Sequence, residues 1–119
     1  MGLFSTNKTS FPWIALNSLE QLEEVINSES KIVLFKHSTR CSISSFALRN
    51  FEREFDSNSD ISCYLVDLIS FREVSNAISE KTKVMHQSPQ VVFLDNKKVV
   101  YSASHEQISA EKINKLSLN

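Results

Sequence analysis

The residues best suited to chemistry lie in "VLFKHSTRCSISSFALRNFE", Val33 to Glu52, where Cys41 stands between an apolar run and a helix-like pattern. Strand, short loop, cysteine, helix is an order with chemical consequences. The first-turn amides of a helix lack intrahelical partners and the helix dipole is positive there, so a sulfur at that place is favoured as thiolate. The thiolate is the nucleophile of disulfide exchange. Arg40 adjoins the cysteine and Lys36 and His37 closely precede it, so each can add positive charge. The hydroxyls of Thr39, Ser42 and Ser44 are candidate hydrogen-bond donors to sulfur. The plainer alternative is a half-buried helix-start cysteine of no chemical consequence, with His37 satisfying a loop carbonyl.

The remaining reactive residue types are scattered. Cys63 falls inside an expected strand, where a cysteine is usually a small packed hydrophobe, although a resolving role is conceivable. His86 and His105 are far apart in sequence and no Cys or His cluster has metal-ligand spacing, so no structural metal is expected. Asp67 ends a strand and reads as a solvated or capping carboxylate. Trp13 and the eight phenylalanines read as core.

The elements that position Cys41 follow from apolar spacing. "WIAL" (Trp13 to Leu16) is a short strand candidate, and in "NSLEQLEEVINSES" Ser18 and Gln21 form a capping box ahead of the face Leu19, Leu22, Val25, Ile26. "KIVLFK" (Lys31 to Lys36) is nearly continuous in apolar residues, as expected of a strand covered on both faces. Ile43, Phe46, Ala47, Phe51 and Phe55 predict an amphipathic helix from about Ser42 to Phe55. "ISCYLVDL" (Ile61 to Leu68) is the next strand, and Ser70 with Glu73 is read as a capping box opening a helix through about Ser79. "KTKVMHQSPQ" connects to "QVVFL" and "KVVYSA", which flank the turn signal "DNK", and Ser109 can cap a last helix bearing Ile113 and Leu116. The order β-α-β-α-β-α-β-β-α predicts an α/β fold with a mixed five-stranded sheet and helices on both faces. Strands joined by crossover helices are expected to be parallel, and the hairpin pair antiparallel.

At 119 residues the chain reads as a single domain, 1–119, with residues 1–11 expected to be a flexible leading segment. A formal net charge of -1 gives no reason to expect nucleic acid or an anionic membrane as partner. Two cysteines are too few for a secreted disulfide framework or a four-ligand zinc site, and no apolar run is long enough to span a bilayer. With no secretory signal pattern, a cytoplasmic location is expected. Gly2 and Thr6 in "MGLFST" match the spacing of an N-myristoylation signal, a short pattern that carries little weight alone.

This order of elements resembles the thioredoxin-like fold. Cys41-Ser42-Ile43-Ser44 stands where thioredoxins have C-x-x-C, with Ser44 in place of the second cysteine, and Ser88-Pro89-Gln90 resembles the loop that holds the cis-proline. More narrowly, "KHSTRCSIS", "YLVDLISFREVSNAISEKTKVMHQSPQVVFL" and "ASHEQIS" resemble the monothiol bacilliredoxins, the YtxJ-type proteins of bacillithiol-using bacteria, over roughly Ile14 to Leu116. There are two departures. Ser42 follows the cysteine where family members commonly have Pro, which loses a residue preorganised for a first helical turn. Phe35 also leaves the strand entering the motif without the buried acid that many thioredoxins carry.

The resemblance implies a monothiol thiol-disulfide oxidoreductase that removes bacillithiol from S-thiolated client proteins, with Cys41 as nucleophile. Thr39, Arg40, Ser42, Ser44 and His37 would support it, and Ser88, Pro89, Gln90 and Lys36 would bind substrate. Arg40 or Lys36 would attract the carboxylates of bacillithiol, a co-substrate; no bound cofactor is implied, and a monomer is expected. Two other readings stay open. One is a glutaredoxin-like protein using another small thiol or holding an iron-sulfur cluster through Cys41, although its C-G-F-S signature is missing. The other is a redox-inactive thioredoxin-like binding module, for which the missing Pro after Cys41 speaks.

Overall fold

The computed structural model describes residues 11–118; the Gly2 and Thr6 pattern lies outside them. The elements are β1 (Ile14–Ala15), α1 (Leu19–Ile26), β2 (Lys31–His37), α2 (Ser42–Glu54), β3 (Ser62–Asp67), α3 (Arg72–Thr82), β4 (Gln90–Asp95), β5 (Lys98–Ser104), a 3₁₀ turn (His105–Gln107) and α4 (Ala110–Ser117). The sheet order is β1-β3-β2-β4-β5. The first three strands run parallel, while β4 is antiparallel to both β2 and β5. This is the mixed α/β sheet expected from crossover helices followed by a hairpin.

Alternation along β2 divides the core. Ile32 and Leu34 join Leu22 and Val25 of α1 and Val74 and Ile78 of α3 on one face. Val33 and Phe35 join Phe51 of α2 and Ala110 and Ile113 of α4 on the other. The second face is aromatic: Phe51 has Trp13, Phe35 and Phe55 rings at 5.6, 5.5 and 5.4 Å, and Trp13 Nε1 donates to Glu52 Oε2 at 2.6 Å. Phe11, assigned to the leading segment by the sequence reading, packs in this cluster with its ring 4.7 Å from that of Trp13.

Local signals account for most element ends. Ser18 Oγ accepts from Gln21 N, and Gln21 Oε1 accepts from Asn17 N, one residue earlier than a capping box would have it. Ser109 Oγ caps α4 through Lys112 N. Asn96 and Lys97 both adopt left-handed backbone (φ 52 and 71) in the two-residue turn between paired Asp95 and Lys98, as a type I′ hairpin requires.

Two expectations need correction. Helix α3 is capped at Phe71 and not at Ser70: Asp67 accepts from Ile69 N and Ser70 Oγ and so orders the turn, and the helix continues past Ser79 to Thr82. Along α2 and its C-cap, Ala47, Phe51 and Phe55 face the core as expected, together with Ser44 and Leu48, whereas Ile43 and Phe46 are each 61% exposed. Phe46 therefore lies outside the core, because the helix turns the ridge through residue 44 inward.

Candidate functional site

One end of the sheet collects every element of the site. The C-terminal end of β2 leads to Cys41, and Leu68 N, just past β3, donates to His37 O at 3.0 Å. The antiparallel β4 begins at this same end with Gln90, directly after the cis Ser88–Pro89 bond. His105 N, after β5, donates to Pro89 O at 3.1 Å, which ties the last loop to the proline.

Cys41 is the N-cap residue of α2, with extended backbone (φ -114, ψ 121) and partial exposure. Its N–H donates to Ser38 O and its C=O accepts from Ser45 N, so the backbone on both sides of the sulfur is fixed. The sulfur itself caps no first-turn amide. Thr39, Arg40 and Ser42 are exposed beside it.

Ser44 differs. It is fully buried, and its Oγ lies 2.7 Å from His37 Nδ1 and accepts from Ser38 N at 3.0 Å. A hydroxyl has one proton, and here the neighbouring imidazole and amide use its hydrogen-bonding capacity. Ser44 thus locks the strand end to the first turn of α2. His37 is also buried; burial pushes its pKa down, opposed by the charges of Asp67 and Glu52.

Lys36 lies elsewhere than its assigned role requires. It shares the sheet face of Ile32 and Leu34, while Phe35 faces the α2 side, and it is fully buried. Its Nζ donates to Ser79 Oγ at 2.9 Å and to His86 Nδ1 at 3.0 Å. Burial lowers its pKa to about 8. Direct contact between Lys36 and a substrate carboxylate is thereby excluded in this conformation. Gln90, its cross-strand partner, is buried as well: Nε2 donates to Met85 O at 2.8 Å and Oε1 has no partner. Sequence reasoning missed His86 and Ser79; the available signal was a lysine placed inside an apolar strand.

Cys63 is buried in mid-sheet opposite Val33, and burial pushes its thiol up to about 12. Val33 is four residues back from His37, on the order of 13 Å along the strand at ~3.3 Å per residue. A groove of about 190 Å³ runs beside α2, lined by Ile43, Phe46, Ala47, Asn50, His105 and Ile108. A surface hollow of about 720 Å³ lies between the starts of α1 and α3 and contains neither cysteine. Among the described residues no group of three or more His, Cys, Asp or Glu could hold a metal, and no helix is long and apolar enough to cross a membrane.

A five-stranded mixed sheet of this order, with a cysteine at the start of α2 and a cis-proline before β4, defines a thioredoxin-like protein. A solved structure with a thioredoxin fold superposes with a TM-score of 0.77 at 29% identity, covering 89% of this chain and 93% of that one. The thioredoxin of Malassezia sympodialis gives 0.70 at 15% identity over 96% and 95%, and that of Trypanosoma brucei brucei 0.64 at 18% over 96% and 95%. The chain belongs to the monothiol bacilliredoxin family: the family's model, monothiol bacilliredoxin BrxC, matches residues 14–113.

Proposed function

We propose that the protein is a cytoplasmic monothiol oxidoreductase that removes bacillithiol from mixed disulfides on client proteins. The observation that carries this reading is the pairing of a partly exposed Cys41 at the helix start with a buried, hydrogen-bonded Ser44 where a second thiol would stand. Cys41 thiolate attacks the small-thiol sulfur of the client disulfide. A Cys41–small-thiol disulfide forms, and the client sulfur leaves as thiolate and takes a proton from solvent. A second small-thiol molecule then attacks the disulfide on Cys41, restores the cysteine and leaves as the symmetrical disulfide. Cys63, buried and held protonated at neutral pH, takes no part.

Arg40, exposed beside Cys41, supplies long-range attraction for an anionic thiol, and Thr39 and Ser42 hydroxyls border the sulfur in sequence. Half-exposed Ser88 is the residue of this loop that an extended substrate can border, while the buried Pro89 and Gln90 hold the loop through His105 N and Met85 O. The test is release of client thiol from a bacillithiolated protein in the presence of excess bacillithiol. Wild type and Cys63→Ser should turn over and Cys41→Ala should not; activity retained in Cys41→Ala would sink the reading. A client-binding module without turnover is the second reading, favoured by the exposed Ile43 and Phe46 next to the cysteine. Binding of the bacillithiolated client without release of its thiol would select it.

A further inference from the structure

Two paired strand residues, Lys36 and Gln90, hold two consecutive residues of the loop before Pro89: Lys36 through the His86 ring and Gln90 through the Met85 carbonyl. Placing an ammonium in a fully buried position without an acidic partner is unfavourable by itself, and among the described residues Lys36 makes no ion pair. The arrangement fixes the chemistry of His86. An ammonium has no lone pair, so with Lys36 charged the Nδ1 atom of His86 is the acceptor and the ring proton sits on Nε2. His86 is exposed while its Nδ1 edge meets a buried group, so the Nε2 edge is the one presented to solvent. Burial first, and then the positive charges of Lys36 and Arg72, push the pKa of the ring down, which favours the neutral imidazole.

These groups stand at the end of the sheet where β2 runs toward Cys41 and β4 begins after Pro89. We propose that His86 Nε2–H receives a carboxylate of the disulfide substrate, and that Lys36 is the positioning residue that holds the ring for it. The assignment rests on the exchange reading above and deepens it. The carboxylate belongs either to the small thiol or to an acidic client residue beside the modified cysteine; the chemistry is the same.

The experiment compares three peptide mixed disulfides: one with mercaptosuccinate, one with 2-mercaptoethanol, and one with 2-mercaptoethanol on a peptide bearing Asp next to the cysteine. His86→Phe should lower kcat/KM about tenfold on a carboxylate-bearing substrate, mainly through KM, the size of one charge-assisted hydrogen bond. The neutral disulfide should be nearly unaffected. His86→Gln, which keeps an acceptor for Lys36 and an N–H donor, should retain most of the activity. Lys36→Met should reproduce the selective loss from a position that no substrate reaches. A loss confined to mercaptosuccinate assigns the carboxylate to the small thiol, and one confined to the Asp peptide assigns it to the client. Equal losses on all three substrates, or none, would overturn the proposal while leaving exchange at Cys41 intact. Wild type inactive on all three but active on the bacillithiolated client overturns the assignment alone, and wild type inactive on that client as well overturns the exchange reading with it.

Discussion

His37 Nδ1 and Ser44 Oγ are 2.7 Å apart, and Ser38 N donates to the same hydroxyl at 3.0 Å. The last residue of β2, the loop and the first turn of α2 are therefore tied at one buried oxygen, three residues after Cys41. In a C-x-x-C protein that position carries the second thiol. Here it carries a fixed hydroxyl, which makes the site monothiol and holds the loop that presents the cysteine.

Removing that oxygen leaves an amide and an imidazole nitrogen without their partner. Ser44→Ala should cost about 2 kcal/mol in urea unfolding, the range for orphaning buried polar groups. A change below a few tenths of a kcal/mol would mean that solvent already satisfies both.

Lys36 predicts a trade between stability and function. Its folded pKa of about 8 lies below the ordinary 10.5, so the folded state binds its proton less tightly than the unfolded chain. The resulting destabilisation is fully present below about pH 8 and is relieved as pH rises toward 10.5. Lys36→Met should therefore be more stable than wild type at pH 7, by about 2 kcal/mol, and the difference should shrink by pH 10. Denaturation at the two pH values checks this; a destabilised or pH-independent variant would refute it.

The two thiols should separate kinetically. In the native protein one equivalent should react rapidly with a disulfide reagent, and the second only after unfolding, because Cys63 is buried and 4% exposed. Cys63→Ser should leave the fast equivalent in place and lower stability by about 1–2 kcal/mol, the cost of burying a hydroxyl among apolar neighbours. Two fast thiols in the native state would contradict the packing.

Phe51 touches both the strand that leads to Cys41 and the aromatic edge formed by Trp13 and Phe55. Phe51→Ala should lose about 4 kcal/mol, as large-to-small changes at fully buried aromatics do. The emission of the sole tryptophan, Trp13, reports the loss directly in a denaturant titration.

The strand and helix order was legible because apolar periodicity changes where the elements change: β2 is an almost unbroken apolar run and α2 an amphipathic one. Cys41 was legible for the same reason, since it stands where one pattern gives way to the other. The inward side of α2 was legible only in part: Ala47, Phe51 and Phe55 pack inward as their spacing predicts, but the spacing does not show that small, polar Ser44 is buried while Ile43 and Phe46 stay exposed. Nor could the sequence show that Lys36 is enclosed, because a lysine at the end of a strand usually reaches water. Its partners, Ser79 and His86, lie 43 and 50 residues away. The start of α3 was misread because Ser70 and Glu73 have capping-box spacing, but the Asp67 carboxylate takes the Ser70 hydroxyl.

The most direct measurement is intact-mass analysis of a single turnover, with the protein mixed at equimolar ratio with a bacillithiolated client and quenched by acid. The account predicts that the client loses the small thiol, that its mass appears on this protein, and that peptide mapping places it on Cys41. A client that keeps its adduct, or an adduct mapped to Cys63, would contradict the central claim.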